Sequence, residues 1–157
     1  MTGEGIKMTD YELICEQAKA FSGVTTWDIT VYANLSALLF DSLDDINWAG
    51  FYLMRDKQLV LGPFQGKTAC TIIPVGKGVC GTAVKEDRVI RVDEVHAFPG
   101  HIACDSASAS EIVLPIHRNG EIIGVLDIDS PIQGRFSAED EQGLLLFVEI
   151  IESYLRG

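Results

Sequence analysis

Apolar residues recur at helical spacing near the start of the chain. Tyr11, Ile14, Cys15, Ala18 and Phe21 form one stripe, which predicts an amphipathic helix. Thr9 as cap with Glu12 three residues on reads as a capping box, and Ser22-Gly23 stops the helix. Trp27, Val31, Leu35, Leu38 and Leu39 mark a second helix opened by Thr25, with Asp28 three residues on. The period then changes to two. Residues 46–54 read as a strand, with Trp48, Gly50 and Tyr52 on one face and Ala49, Phe51 and Leu53 on the other. Both faces are apolar or aromatic, which predicts a central strand. Gly50 between the two aromatic residues leaves a gap that something can approach.

A polar turn at 55–58 leads to a strand at 58–64 and a third at 69–75, whose Pro74 suits an edge or a strand end. The run 76–81 matches G-x-G-x-x-G after a strand. The helix it opens, 78–86, is short, and a hairpin follows instead of a second parallel unit. A tight strand-to-helix turn is therefore favoured over a dinucleotide site. Residues 88–92 read as a strand, and 93–110 as a long connection of the kind that forms lids and binding loops. Asn119-Gly120 between the apolar runs 110–117 and 121–129 marks a type I′ hairpin. Ser137 caps a last helix carrying Leu144, Phe147, Val148, Ile151 and Leu155, with Asp140 in its first turn. The order is two helices, three strands, a short helix, three strands and one helix. That order implies a mixed α/β (α+β) fold, a six-stranded, mostly antiparallel sheet with helices packed on it.

Composition narrows the partners. The chain has 157 residues, 47% of them apolar, enough for one domain with a real core; residues 1–8 look like a loose terminus. Twelve Lys and Arg against 23 Asp and Glu give a net charge of −11. That sign argues against nucleic acid and anionic membrane surfaces as partners. No signal peptide or membrane span is visible, so a cytoplasmic protein is expected. In that compartment several cysteines mean redox, metal or packing roles before structural disulfides.

The candidate chemistry lies between Cys70 and Asp129. Asp127 and Asp129 are two apart on one strand and face the same way, with Val125 on their side. Two like charges beside apolar neighbours need a cation, a donor or water, and that is how a polar ligand site is built, although the period alone equally allows a solvated strand face. Cys70, Cys80, Cys104, His96 and His101 include enough ligands for zinc, but their spacings contain neither C-x-x-C nor H-x-x-x-H. No metal or other cofactor is therefore expected. Inert packing suits Cys15 on its apolar stripe. Cys104, among Ala103, Asp105 and Ser106, reads as an exposed loop cysteine, which favours redox chemistry.

The residues Asn47-Trp48-Ala49-Gly50-Phe51-Tyr52, Gly62-Pro63-Phe64-Gln65-Gly66, Cys70 and Gly76-Lys77-Gly78-Val79-Cys80-Gly81-Thr82-Ala83 carry a resemblance. So do His101-Ile102-Ala103-Cys104-Asp105, Ser110-Glu111-Ile112-Val113 and Gly124-Val125-Leu126-Asp127-Ile128-Asp129-Ser130. From about residue 9 onward the chain resembles the free methionine-(R)-sulfoxide reductases, which are single GAF domains. The resemblance implies one GAF domain over 1–157 and reduction of free methionine sulfoxide, with thioredoxin as reductant. It implies Cys104 as nucleophile, Cys80 as its resolving partner and Cys70 as a second recycling thiol. Trp48 and Tyr52 would wall the methyl and thioether end. Glu111, Asp127 and Asp129 would hold the ammonium group and protonate the sulfoxide oxygen, with Asp127 assigned to the ammonium and Glu111 with Asp129 to the oxygen. Cys80 starts a short helix whose dipole would favour its thiolate, so a Cys80–Cys104 disulfide is expected in the oxidised protein. A homodimer through the first and last helices follows by analogy with other GAF domains. The rival from another class is a non-catalytic GAF sensor that binds a small molecule.

Overall fold

The computed structural model describes residues 8–101 and 107–157. Helices α1 (Tyr11–Ser22) and α2 (Asp28–Ser42) precede strands β1 (Trp48–Arg55), β2 (Gln58–Gly66) and β3 (Ile72–Pro74). Helix α3 (Gly78–Glu86), strands β4 (Ile90–Val92), β5 (Ser110–Arg118) and β6 (Glu121–Ser130), and helix α4 (Ala138–Tyr154) complete the order read from the sequence. The strands form one six-stranded sheet, ordered β3-β2-β1-β6-β5-β4. Every pairing in it is antiparallel. β1 is central as its two apolar faces require, and β3, with Pro74, is an edge. Among the described residues no helix is long and apolar enough to cross a membrane.

The sheet separates two cores. Ala49 and Phe51 of β1, Ile112, Leu114 and Ile116 of β5, and Leu126 and Ile128 of β6 meet helices α1, α2 and α4 on one side. Trp48, Tyr52, Val113 and Val125 point the other way, toward α3 and the segments around it. Strand alternation alone produces this division.

Local chemistry moves several boundaries. Asp10, not Thr9, caps α1; its carboxylate accepts from the Leu13 amide at 3.0 Å. Thr25 Oγ1 accepts from the Trp27 amide, so Thr25 shapes the turn before α2 and the helix begins at Asp28. Trp27 and Phe21, expected on apolar stripes, are exposed at 67% and 44%. β4 is shorter than expected because Asp87 takes a left-handed conformation at the end of α3 and the Arg88 amide turns back to Ala83 O. Asn119 and Gly120, with φ of 54° and 80°, form the expected hairpin turn. A capping box between Ser137 and Asp140 starts α4. Asp140 also accepts from the Tyr11 hydroxyl at 2.6 Å and pairs with Arg135 at 3.0 Å, joining α1 and α4 at one carboxylate.

Candidate active site

Three central strands deliver the site in rows. Trp48 of β1 lies opposite Asp129 of β6, which lies opposite Glu111 of β5. The next row runs Gly50, Asp127, Val113, and the one after it Tyr52, Val125, Pro115. Cross-strand neighbours sit about 4.5–5.5 Å apart at Cβ, so three carboxyl groups from two strands converge beside two aromatic rings. Helix α3 closes over them with Cys80, whose thiol donates to Glu111 Oε2 at 3.9 Å. The resulting cavity, about 50 Å³, is lined by Trp48, Tyr52, Cys80, Glu111, Asp127 and Asp129 among others.

The aromatic wall is fixed from behind. The Trp48 ring lies 5.9 Å from Tyr52 and 5.0 Å from Phe64, both in stacked orientation. Its indole nitrogen donates to Lys67 O at 3.0 Å, and the Tyr52 hydroxyl donates to Cys70 O at 2.9 Å. The gap expected at Gly50 is occupied. A Cβ there would stand 2.2 Å from Phe64 Cβ, so the glycine admits the Phe64 backbone and side chain, not a ligand. Phe64, which the sequence pattern left without a role, is thus the backing of the wall. Glycines facing aromatic residues across strands were the available signal.

The acids are not equivalent. Burial first, then the Asp127 and Asp129 charges, push the Glu111 carboxyl well above its usual range. Burial raises Asp127 too, but hydrogen bonds from Glu111 and Cys80 favour its ionised form. Glu111 is therefore the carboxyl of this cluster most strongly driven to hold a proton, and Asp127 the one whose ionised form its neighbours favour. Asp127 Oδ1 is buried and unpartnered. Lys77, at the N-cap of α3, and His101 also line the cavity. Neither had a pocket role in the sequence reading. Burial, then the neighbouring His96 ring, hold His101 below its usual pKa, so it is neutral at pH 7.

The cysteines divide differently from expectation. Cys70 is disulfide-bonded, whereas Cys80 is a free, buried thiol. This contradicts the expected Cys80–Cys104 disulfide. Burial first, then the Asp127, Glu111 and Asp129 carboxyl groups packed around it, raise the Cys80 pKa well above the usual value, opposite to the direction expected from the helix dipole. Cys80 is thus a poor attacking thiol at neutral pH. Cys15 is also a free, buried thiol, as its stripe requires. Cys104, given the nucleophile's role by the resemblance, falls outside the described residues, as do almost all of the residues 1–8 read as a loose terminus.

Comparison with known proteins accords with this arrangement. The GAF domain family matches residues 16–155. The free methionine-R-sulfoxide reductase of Escherichia coli (strain K12) is 61% identical over 134 residues, covering 85% of this chain and 81% of that protein. The Saccharomyces cerevisiae protein of the same name is 42% identical over 137 residues, covering 82% and 76%. The structure of Staphylococcus aureus fRMsr in complex with substrate superposes with a TM-score of 0.91 at 52% identity, covering 96% of this chain and 99% of that one. The chain belongs to the free methionine-R-sulfoxide reductase family of GAF domains.

Proposed function

We propose that this protein reduces free methionine-(R)-sulfoxide to methionine through cysteine chemistry and that thioredoxin restores it. One observation carries the reading: Glu111, whose carboxyl is pushed well above its usual range, and Asp127, with a buried oxygen that has no partner, share a cavity walled by Trp48 and Tyr52. Sulfoxide oxygen is a poor leaving group until it gains a proton, and Glu111 holds one at neutral pH. Asp127, with a bare buried oxygen, suits a substrate ammonium. Asp129, between Trp48 and Glu111 in its row, shares the oxygen end with Glu111.

In the proposed cycle the Cys104 thiolate attacks the sulfoxide sulfur while the oxygen receives a proton from Glu111. The hydroxyl then passes from that sulfur to the Cys104 sulfur as the transient S–S bond breaks, so methionine leaves and Cys104 is left as a sulfenic acid. A second thiol attacks that sulfur, water departs and a disulfide forms. The disulfide state of Cys70, against the buried free thiol of Cys80, supports Cys70 as the resolving residue. A thioredoxin dithiol then reduces the disulfide by exchange, taking the oxidation onto itself. A cytosolic setting, where such reductants operate, suits this cycle. The test is a thioredoxin-coupled assay with each epimer of free methionine sulfoxide and with an oxidised peptide. Turnover of the free R epimer is expected. Equal rates on the peptide, which lacks the free ammonium, would overturn the reading.

A further inference from the structure

The cavity that gathers acids also gathers a thiol that the proposed cycle leaves unused. Cys80 Sγ and carboxylate oxygens of Glu111 and Asp127 all lie within 4.8 Å of one another. They come from three separate elements, α3, β5 and β6. One thiolate and two carboxylates form a ligand set that zinc accepts, with metal–sulfur distances of about 2.3 Å and metal–oxygen distances of about 2.1 Å. A tetrahedral ion at those distances holds its ligands roughly 3.5 Å apart. The pair Cys80 Sγ and Glu111 Oε2 already stands at 3.9 Å. The second, independent sign is Asp127. It is only 5% exposed, and its Oδ1 has no hydrogen-bond partner. An orphaned buried carboxylate oxygen beside a thiol asks for a cation.

We propose that Cys80, Glu111 and Asp127 form a zinc site inside the substrate cavity, and that zinc and substrate exclude one another there. The ion displaces the Cys80 thiol proton and the Glu111 carboxyl proton to solvent and takes the place that Asp127 otherwise offers to an ammonium group. The fourth coordination position opens to the cavity and takes water. This set shares only Cys80 with the cysteine and histidine ligands weighed from the sequence. Zinc binding stands on the geometry alone, whereas mutual exclusion rests on the proposed function of the cavity.

The test uses the full chain in its disulfide form, where Cys15 and Cys80 are the free thiols among the described residues. Cobalt(II) replaces zinc as a coloured probe. One cobalt per chain with a thiolate-to-metal charge-transfer band is expected, along with displacement of cobalt by zinc. Cys80→Ser should lose the band, and Asp127→Asn should weaken binding at least tenfold. Cys15→Ser should keep both. Thermal melts verify that each variant is folded, and Asp127→Asn carries the test if Cys80→Ser is not. Absence of bound cobalt in the wild type, or a band that depends on Cys15, would overturn the site. Free methionine sulfoxide is then titrated into the cobalt complex, where displacement supports exclusion. Undisturbed cobalt in an enzyme that turns the sulfoxide over would overturn exclusion. If cobalt binds through Cys80 but the sulfoxide is neither bound nor reduced, the metal site stands and the reductase reading falls.

Discussion

The raised carboxyl of Glu111 is the pivot of the proposed chemistry, and its effects separate from those of its neighbours. Glu111→Gln should lower the rate of the reductive step by about 10²–10⁴-fold, read by single-turnover release of methionine. Asp127→Asn should mainly raise KM, because it removes the acceptor proposed for the ammonium. In the wild type the rate should fall as pH rises through the raised pKa of Glu111. Stability should follow the same sign. Folded Glu111 binds its proton at pH values where the unfolded chain has lost it, so stability declines with pH between those two values. Glu111→Gln should flatten that slope in denaturation measured from pH 5 to 9. For the thiols, Cys70→Ser should release about one methionine per chain without reductant and then stall, since attack precedes resolution. Multiple turnover by Cys70→Ser with thioredoxin would reassign the resolving role. The sequence pointed to these residues, and the resemblance gave Glu111 with Asp129 the proton for the oxygen, but it did not say which of the two is the more strongly raised. That depends on how deeply each acid is buried and on which neighbours donate to it.

At the scale of elements, glycine sets how closely the strands carry the wall. A Cβ at Gly50 would overlap Phe64, and one at Gly66 would stand 2.6 Å from Trp48 Cδ1. Gly50→Ala should cost about 1–3 kcal/mol by overpacking and raise KM as the Trp48–Phe64 stack shifts. Thermal melting and steady-state kinetics on the same variant check both. Strand parity was legible from period two, which placed Trp48 with Tyr52 and Asp127 with Asp129. Register was not, because side-chain alternation says which face a residue takes and not which residue it meets. Only the Asn119-Gly120 turn fixed a pairing in advance, by setting where β5 and β6 begin to match. The starts of α1 and α2 were off by one to three residues, since Asp10 and Thr25 offered competing local hydrogen bonds, whereas those of α3 and α4 fell where the sequence put them.

Across the whole molecule, stability gathers where α1 meets α4. A Cβ at Gly143 would lie 2.2 Å from the Tyr11 ring, so the helices touch closely there. Burial alone would raise the Asp140 carboxyl, but the Ser137 amide, the Tyr11 hydroxyl and Arg135 hold it below its usual value. Asp140→Asn should lower Tm at pH 7 by several degrees, for a loss of about 1–2 kcal/mol. The depressed pKa makes that contribution present above the unfolded carboxyl range and lost as pH falls through the folded value. The gap between wild type and variant should therefore close in acid. The element order was legible from hydrophobic period, whereas this carboxylate junction was not, because it joins residues at opposite ends of the chain. The sheet with two cores has a further consequence for inheritance. Along β5 and β6 the odd-numbered residues build the cavity and the even-numbered ones hold the helices; along β1 the parities are reversed. Each strand thus carries two interleaved messages that selection can edit separately. A saturation library scored for abundance and for methionine production should split along that parity, with cavity-face variants losing product while the protein persists. A lineage can then trade one small-molecule chemistry for another without renegotiating its fold.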